Sequence, residues 1–242
     1  MLKAFVEKIL SLDAPHIESI EGRTYVDKNM TMIGKELRAD GVTMNTLSSL
    51  VDFIKKSTGD FKGGQYIVQV VSPTNVILFS GLDADRKRET LAVVEAEIPD
   101  FSFGRFIENE EFIIGVQSKF LDEDAEVNDK PIILQFAGNV KAGTVAEYGD
   151  TGVGQKAAIK KGVASLQEVE VPSPCRLMPY RTFTEVKQPM SSFIFRVKDN
   201  NLGVSCALFE ADGGAWKNEA KKNIKDYLEK ELAGVPDIFV IS

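Results

Sequence analysis

Histidine is nearly absent: the 242 residues contain only His16, together with two cysteines, Cys175 and Cys206, and one tryptophan, Trp216. Tetrahedral zinc therefore lacks ligands, and a Ser–His or Cys–His nucleophile has a single histidine to draw on, in a polar segment. No Gly-x-Ser-x-Gly elbow occurs either. No run approaches the length of about 18 apolar residues that a membrane-crossing helix needs. A basic surplus is also missing. The 29 Lys and Arg stand against 36 Asp and Glu, a formal charge of −7, which works against non-specific nucleic-acid binding and leaves only a local basic groove for a polyanion. Glu7 and Asp13, with no small-residue cleavage site, make the first residues unlike a secretory leader. Both cysteines read as reduced core thiols, so the expected setting is the cytoplasm, with no membrane partner and no cofactor.

What is present is an ordinary globular composition, 43% hydrophobic and 27% charged with 19 Gly and 9 Pro, which excludes disordered, collagen-like and coiled-coil chains. At this length a core forms without disulfides. After an N-terminal apolar helix, Thr24–Val26 and Met30–Ile33 read as weak strands. Thr43 offers an N-cap for a helix whose Met44, Leu47, Leu50, Val51 and Ile54 share one face. Residues 65–71 and 76–80 read as a hairpin around Ser72-Pro-Thr-Asn75, with a third strand over 89–98. A helix over 107–121 follows, with Glu108, Glu110 and Glu111 at its positive end. Pro131 to Val140 leans to helix, with Pro at its start. Further hairpins are expected over 144–161 and 193–209, with a strand over 164–171. A long helix carrying Trp216, Ala220, Ile224, Tyr227, Leu228 and Leu232 and a strand over 235–241 end the chain. The expected fold is α+β: mixed, predominantly antiparallel sheets with about four helices. The expected regions are 1–125 and 126–242, with one continuous domain as the alternative.

Few motifs carry chemistry. Gly149-Asp-Thr-Gly-Val-Gly-Gln-Lys156-Ala157 looks like a phosphate loop but lacks the glycine directly before its lysine and the hydroxyl after it, and so reads as a hairpin turn. Glu210 and Asp212 before Gly213-Gly214 could hold Mg²⁺, a weak metal reading set against Asp212 as the cap of the helix that follows. Arg86 and Arg88 lie in a charged turn. Arg105, Tyr180, Arg181 and Arg196 lie among phenylalanines, a mixture suited to a protein interface or to nucleic-acid stacking.

The stretches Val71-Ser-Pro-Thr-Asn-Val76 with Leu82-Asp-Ala-Asp-Arg86, Phe103–Ile113, Tyr148–Gln155, Pro179-Tyr-Arg-Thr-Phe-Thr-Glu-Val-Lys-Gln-Pro189 and Leu208-Phe-Glu-Ala-Asp-Gly-Gly-Ala-Trp216 together resemble the YfdQ-like family of phage and prophage proteins over residues 40–242. The resemblance implies viral or prophage origin and transfers no active site. Three functions are weighed. The first is a non-catalytic accessory protein acting as a homo-oligomer, a closed or capsid-like shell being one form. The second is a nucleic-acid-binding factor in phage replication or recombination. The third, a metal-dependent hydrolase using Glu210 and Asp212, is short of ligands.

Overall fold

The computed structural model describes residues 2–12, 14–20, 23–27, 40–56, 61, 64–83, 86–122, 128–140, 145–150, 155–161, 165–200 and 203–242. They fall into two compact units, Met1–Ala39 and Asp40–Ser242. In the first, α1 (Leu2–Leu12) precedes an antiparallel hairpin of β1 (Ile17–Ile20) and β2 (Arg23–Val26). His16 is exposed there, its backbone N–H donating to Asp27 Oδ1 at 2.7 Å. The expected strand over Met30–Ile33 lies outside the described residues.

The second unit runs β3 (Val42–Met44), α2 (Leu47–Lys56), β4 (Tyr66–Ser72), β5 (Asn75–Phe79), β6 (Thr90–Glu95), β7 (Ile107–Glu108), α3 (Asn109–Lys119) and α4 (Lys130–Asn139). It continues with β8 (Val145–Asp150), β9 (Gln155–Lys161), β10 (Ser165–Glu170), β11 (Cys175–Leu177), β12 (Ser191–Asn200), β13 (Gly203–Glu210), α5 (Ala215–Glu231) and β14 (Ile238–Ile241). The architecture is mixed α+β with mainly antiparallel sheets, and five helices occur among the described residues. Three sheets form: β14-β4-β5-β6-β3, β11-β12-β13-β7 and β10-β9-β8. The two strands at the edges of the five-stranded sheet are parallel to their neighbours, and every other pairing is antiparallel.

Each of the two larger sheets alternates buried and half-exposed residues, the period-2 pattern of a strand with one covered face. Beneath the five-stranded sheet, Val68, Val76, Leu78 and Val94 pack on Leu47, Leu50 and Ile54 of α2 and on Ile224 and Leu228 of α5. Beneath the four-stranded sheet, Phe193, Phe195, Cys206 and Leu208 pack on Phe112 and Val116 of α3 and on Ile133 and Phe136 of α4. Each fully buried side chain of this kind contributes about 1.5–3 kcal/mol. Lys130, 2% exposed, closes the C-terminal end of α3: its Nζ donates to the carbonyls of Phe120 at 2.6 Å and Gln117 at 3.2 Å and pairs with Asp122 at 2.8 Å.

Two expectations need correction. Thr43 is no helix cap: it lies in β3, paired with Val93 of β6, and Thr46 takes the role, its Oγ1 accepting from Ser49 N at 3.2 Å. The backbone of a three-residue strand is invisible to a helical pattern that counts Met44 as its first apolar position. A division at residue 125 has no counterpart either. β7 pairs with β13 and β14 pairs with β4, so both larger sheets take strands from each side of that point.

Candidate functional site

The segment Arg181–Gln188 is folded on its own glutamine. Gln188 Oε1 accepts from the backbone N–H of Arg181 at 2.9 Å and of Thr182 at 3.1 Å, and its Nε2 donates to Phe183 O at 2.9 Å. Thr182 Oγ1 donates to Pro73 O in the β4–β5 turn at 2.6 Å, while Phe183 and Val186 enter the core beneath the five-stranded sheet. Arg181, 6% exposed, reaches the other side of the joint. Its guanidinium lies 4.1 Å from the ring centre of Trp216 on α5, 5.2 Å from Phe193 on β12 and 5.4 Å from Phe103. Nη1 is paired with Glu210 Oε1 at the end of β13. Burial pulls the guanidinium pKa below its ordinary value, opposed by the carboxylates of Glu210 and Asp212. The cluster thus ties α5 and both cores to one buried cation.

Arg181 Nη2, Trp216 Nε1 and Asp212 Oδ2 are buried without a hydrogen-bonding partner in the protein. Two donors and one acceptor suit a group that both accepts and donates, and the carboxylate among them works against a bare anion. Glu210 and Asp212 both face the Arg181 guanidinium and so come to one place, as the metal reading requires. Among the described residues, however, no group of three His, Cys, Asp or Glu is placed to hold a metal ion. Asp212 does not cap α5 in the expected way. The N-cap is Gly214, in the left-handed region at φ 82°, and Asp212 Oδ1 instead accepts from Gly214 N at 2.9 Å, bracing the turn ahead of the helix. Trp216 is half-buried under the guanidinium.

The other arginines are dispersed. Arg86, at φ 57°, and Arg88, whose Nη1 donates to Ser80 O at 3.0 Å, belong to the exposed β5–β6 connection, of which residues 84–85 lie outside the described set. Tyr180 is half-buried beside α3, its N–H donating to Lys119 O at 3.0 Å. Arg105 lies in an exposed turn at the edge of the four-stranded sheet, where Gly104 N donates to Leu208 O at 2.8 Å. Arg196 lies on that sheet's uncovered face, opposite Ala207. Arg86 and Arg88 share the β5–β6 connection, whereas Arg105 and Arg196 belong to the four-stranded sheet. The turn of the phosphate-loop-like segment, residues 151–154, lies outside the described residues, and its flanks are the paired strands β8 and β9.

Both thiols are free and buried, Cys175 donating to Phe193 O and Cys206 to Asn109 Oδ1, each at 3.3 Å. Burial pushes each thiol pKa up to about 12, so neither is a thiolate nucleophile near neutral pH.

The uncovered faces of the two larger sheets were not anticipated from sequence. On the five-stranded sheet one cross-strand row is Phe239, Ile67, Phe79 and Thr90, and the next is Ile241, Gln69, Ile77, Val93 and Thr43. Neither row contains a charge, and none of these residues belongs to either buried core. On the four-stranded sheet the corresponding rows are Arg176 with Ser192, Ile194 with Phe209, Arg196 with Ala207 and Lys198 with Ser205. The signal was in the sequence as the alternate positions of each strand, readable once register was known. No helix among the described residues is long and apolar enough to cross a membrane. No family model, curated protein or solved structure matches the chain.

Proposed function

We propose that the protein is a non-catalytic phage or prophage accessory protein of the host cytoplasm that acts by assembling with copies of itself through the uncovered face of its five-stranded sheet. The observation that carries this reading is the pair of charge-free rows centred on Ile67, Ile77 and Phe79, with Phe239 48% and Ile241 45% exposed at the sheet edge. A contiguous apolar face of this kind marks an interaction surface, and absence of charge is the signature of an interface core. Such a face suits a second identical sheet stacked at about 10 Å, the same patch meeting itself about a two-fold axis. Such a contact closes as a dimer, and a capsid-like shell needs a second, different contact.

Light scattering on the purified protein at micromolar concentration tests this. The expected mass is a multiple of 26.7 kDa, falling to the single-chain value in the double variant Phe239→Glu, Ile241→Glu with its circular dichroism unchanged. A single-chain mass for the unaltered protein removes the proposal. The second reading, nucleic-acid binding, belongs to a different surface.

A further inference from the structure

The four-stranded sheet covers one face with α3 and α4, and its other face differs from every other surface described above. Arg176 and Lys198 are exposed on it and Arg196 is half-exposed, its Nη1 donating to Phe195 O at 3.2 Å; they lie on β11 and β12 in rows about 6.8 Å apart for each two residues of strand. Ile194 lies between Arg176 and Arg196, and across from it on β13 is Phe209, half-exposed, with Phe106, 44% exposed, against it, the two ring centres 6.1 Å apart and the planes inclined at 69°. The carboxylate that shares the Lys198–Ser205 row, Glu108, is engaged elsewhere: it accepts from Glu110 N at 3.0 Å and Glu111 N at 3.3 Å as the cap of α3. Glu210, opposite Phe193, belongs to the covered side with Arg181.

We infer that this face binds single-stranded nucleic acid, its phosphates held by Arg176, Arg196 and Lys198 and its bases stacked on Phe106 and Phe209. Cations spaced along a strand match the repeat of a polyanion, and accessible rings beside them match unpaired bases, which present a flat face whatever their sequence. Neither feature serves an apolar or a cationic partner. The overall charge of −7 does not oppose a local cationic face, because charges more than about 10 Å away are largely screened at ordinary salt. Arg105 at the sheet edge adds to the same field. The inference stands apart from the assembly reading, which uses a different sheet.

Fluorescence anisotropy with labelled oligo-dT and oligo-rU of about 20 nucleotides tests it, with a duplex of equal length as comparison. Both single strands share the proposed chemistry, and the ratio of their affinities shows which the face prefers. Three phosphate contacts predict that affinity falls about twentyfold between about 50 and 200 mM salt. Phe106→Ala is expected to weaken binding at least about fivefold, and Arg176→Glu with Lys198→Glu to weaken it further while the oligomer persists. The assembly-deficient Phe239→Glu, Ile241→Glu variant is expected to keep the affinity of the unaltered protein. Four results overturn the inference: no single-strand binding at about 50 mM salt; tighter binding to the duplex; binding unchanged in the Arg176→Glu, Lys198→Glu variant; or loss of the oligomer in that variant, which makes the face a contact between copies.

Discussion

The two larger sheets obey the same rule and present opposite surfaces. Each buries alternate residues against a pair of helices and leaves the others uncovered. The two central rows of the five-stranded sheet's uncovered face are charge-free, Glu95 standing beside Asn75 at one end, whereas Arg176, Arg196 and Lys198 mark the uncovered positions of the four-stranded sheet. Because side chains alternate with period 2, the covered face decides register and the opposite face is left for recognition. The difference teaches that one chain with a net acidic balance can carry both an apolar and a cationic surface, provided they lie on separate sheets. Neither surface is visible in the totals.

The sharpest difference between the two cores is chemical, and pH should expose it. Both thiols lie beneath the four-stranded sheet. Their pKa values rise from 9.0 to about 12 on folding. Below about pH 9 folded and unfolded thiols are both neutral and contribute no pH dependence. Above it the unfolded thiols ionise while the folded ones hold their protons, so stability falls as pH rises from about 9 towards 12. Hydrogen exchange across this window should show β11–β13 losing protection before β4–β6, and the Cys175→Ala, Cys206→Ala variant should lose that order. Equal loss in both sheets would break the comparison.

Arg181 joins the two halves, so its removal should damage both. Arg181→Met deletes a buried cation shared by Trp216, Phe193 and Glu210 and is expected to cost about 3–5 kcal/mol in denaturant unfolding. Glu210 is 40% exposed on its side chain, so its charge remains hydrated once orphaned, which favours the lower end. A cost within the range of an ordinary surface substitution would mean the cores do not depend on this joint. Phe239→Glu with Ile241→Glu comes next: about 2 kcal/mol or more of association energy is expected to vanish, read as a rise in dimer dissociation constant at unchanged melting temperature. Asp212→Ala is smaller, about 0.5–2 kcal/mol for a lost side-chain brace. Asp212→Asn keeps the oxygen that Gly214 N uses and should recover most of that loss.

Most of the fold was legible because the long elements carry strong periodicity. The β4–β5 hairpin, β6, α3, α4, the β12–β13 hairpin and α5 all lie where spacing and turn residues place them. The short strands were not. β3, β7 and β11 have three, two and three residues, too few to show alternation, and they exist because a neighbouring strand supplies their hydrogen bonds. The candidate residues divided for a related reason. Arg105, Arg181 and Arg196 have the same kind of aromatic neighbours in sequence. Arg196 occupies an uncovered strand position, while Arg181 sits in a loop that Gln188 folds inward. Nothing local distinguishes a buried arginine from an exposed one when both sit among phenylalanines. No motif surrounds Arg176 and Lys198 in the sequence, and only strand pairing brings them to one face.

The smallest predicted effect separates the two surfaces most cleanly. Lys198→Gln removes one charge from the rim of the four-stranded sheet without touching either core, so the fold and the oligomer should be unaffected. If Lys198 neutralises one phosphate, the logarithmic salt slope of oligo-dT binding should shrink by about 0.7, because one fewer condensed counterion is released. Arg176→Gln should subtract a similar amount, and the two changes together should add, since phosphate contacts act independently along the strand. Phe106→Ala should weaken binding at every salt concentration and leave the slope alone, because stacking releases no ions. A slope that changes with Phe106 as much as with Lys198 would mean the ring orders the cations rather than a base. Arg88→Gln, in the β5–β6 connection, serves as the reference and should change neither quantity.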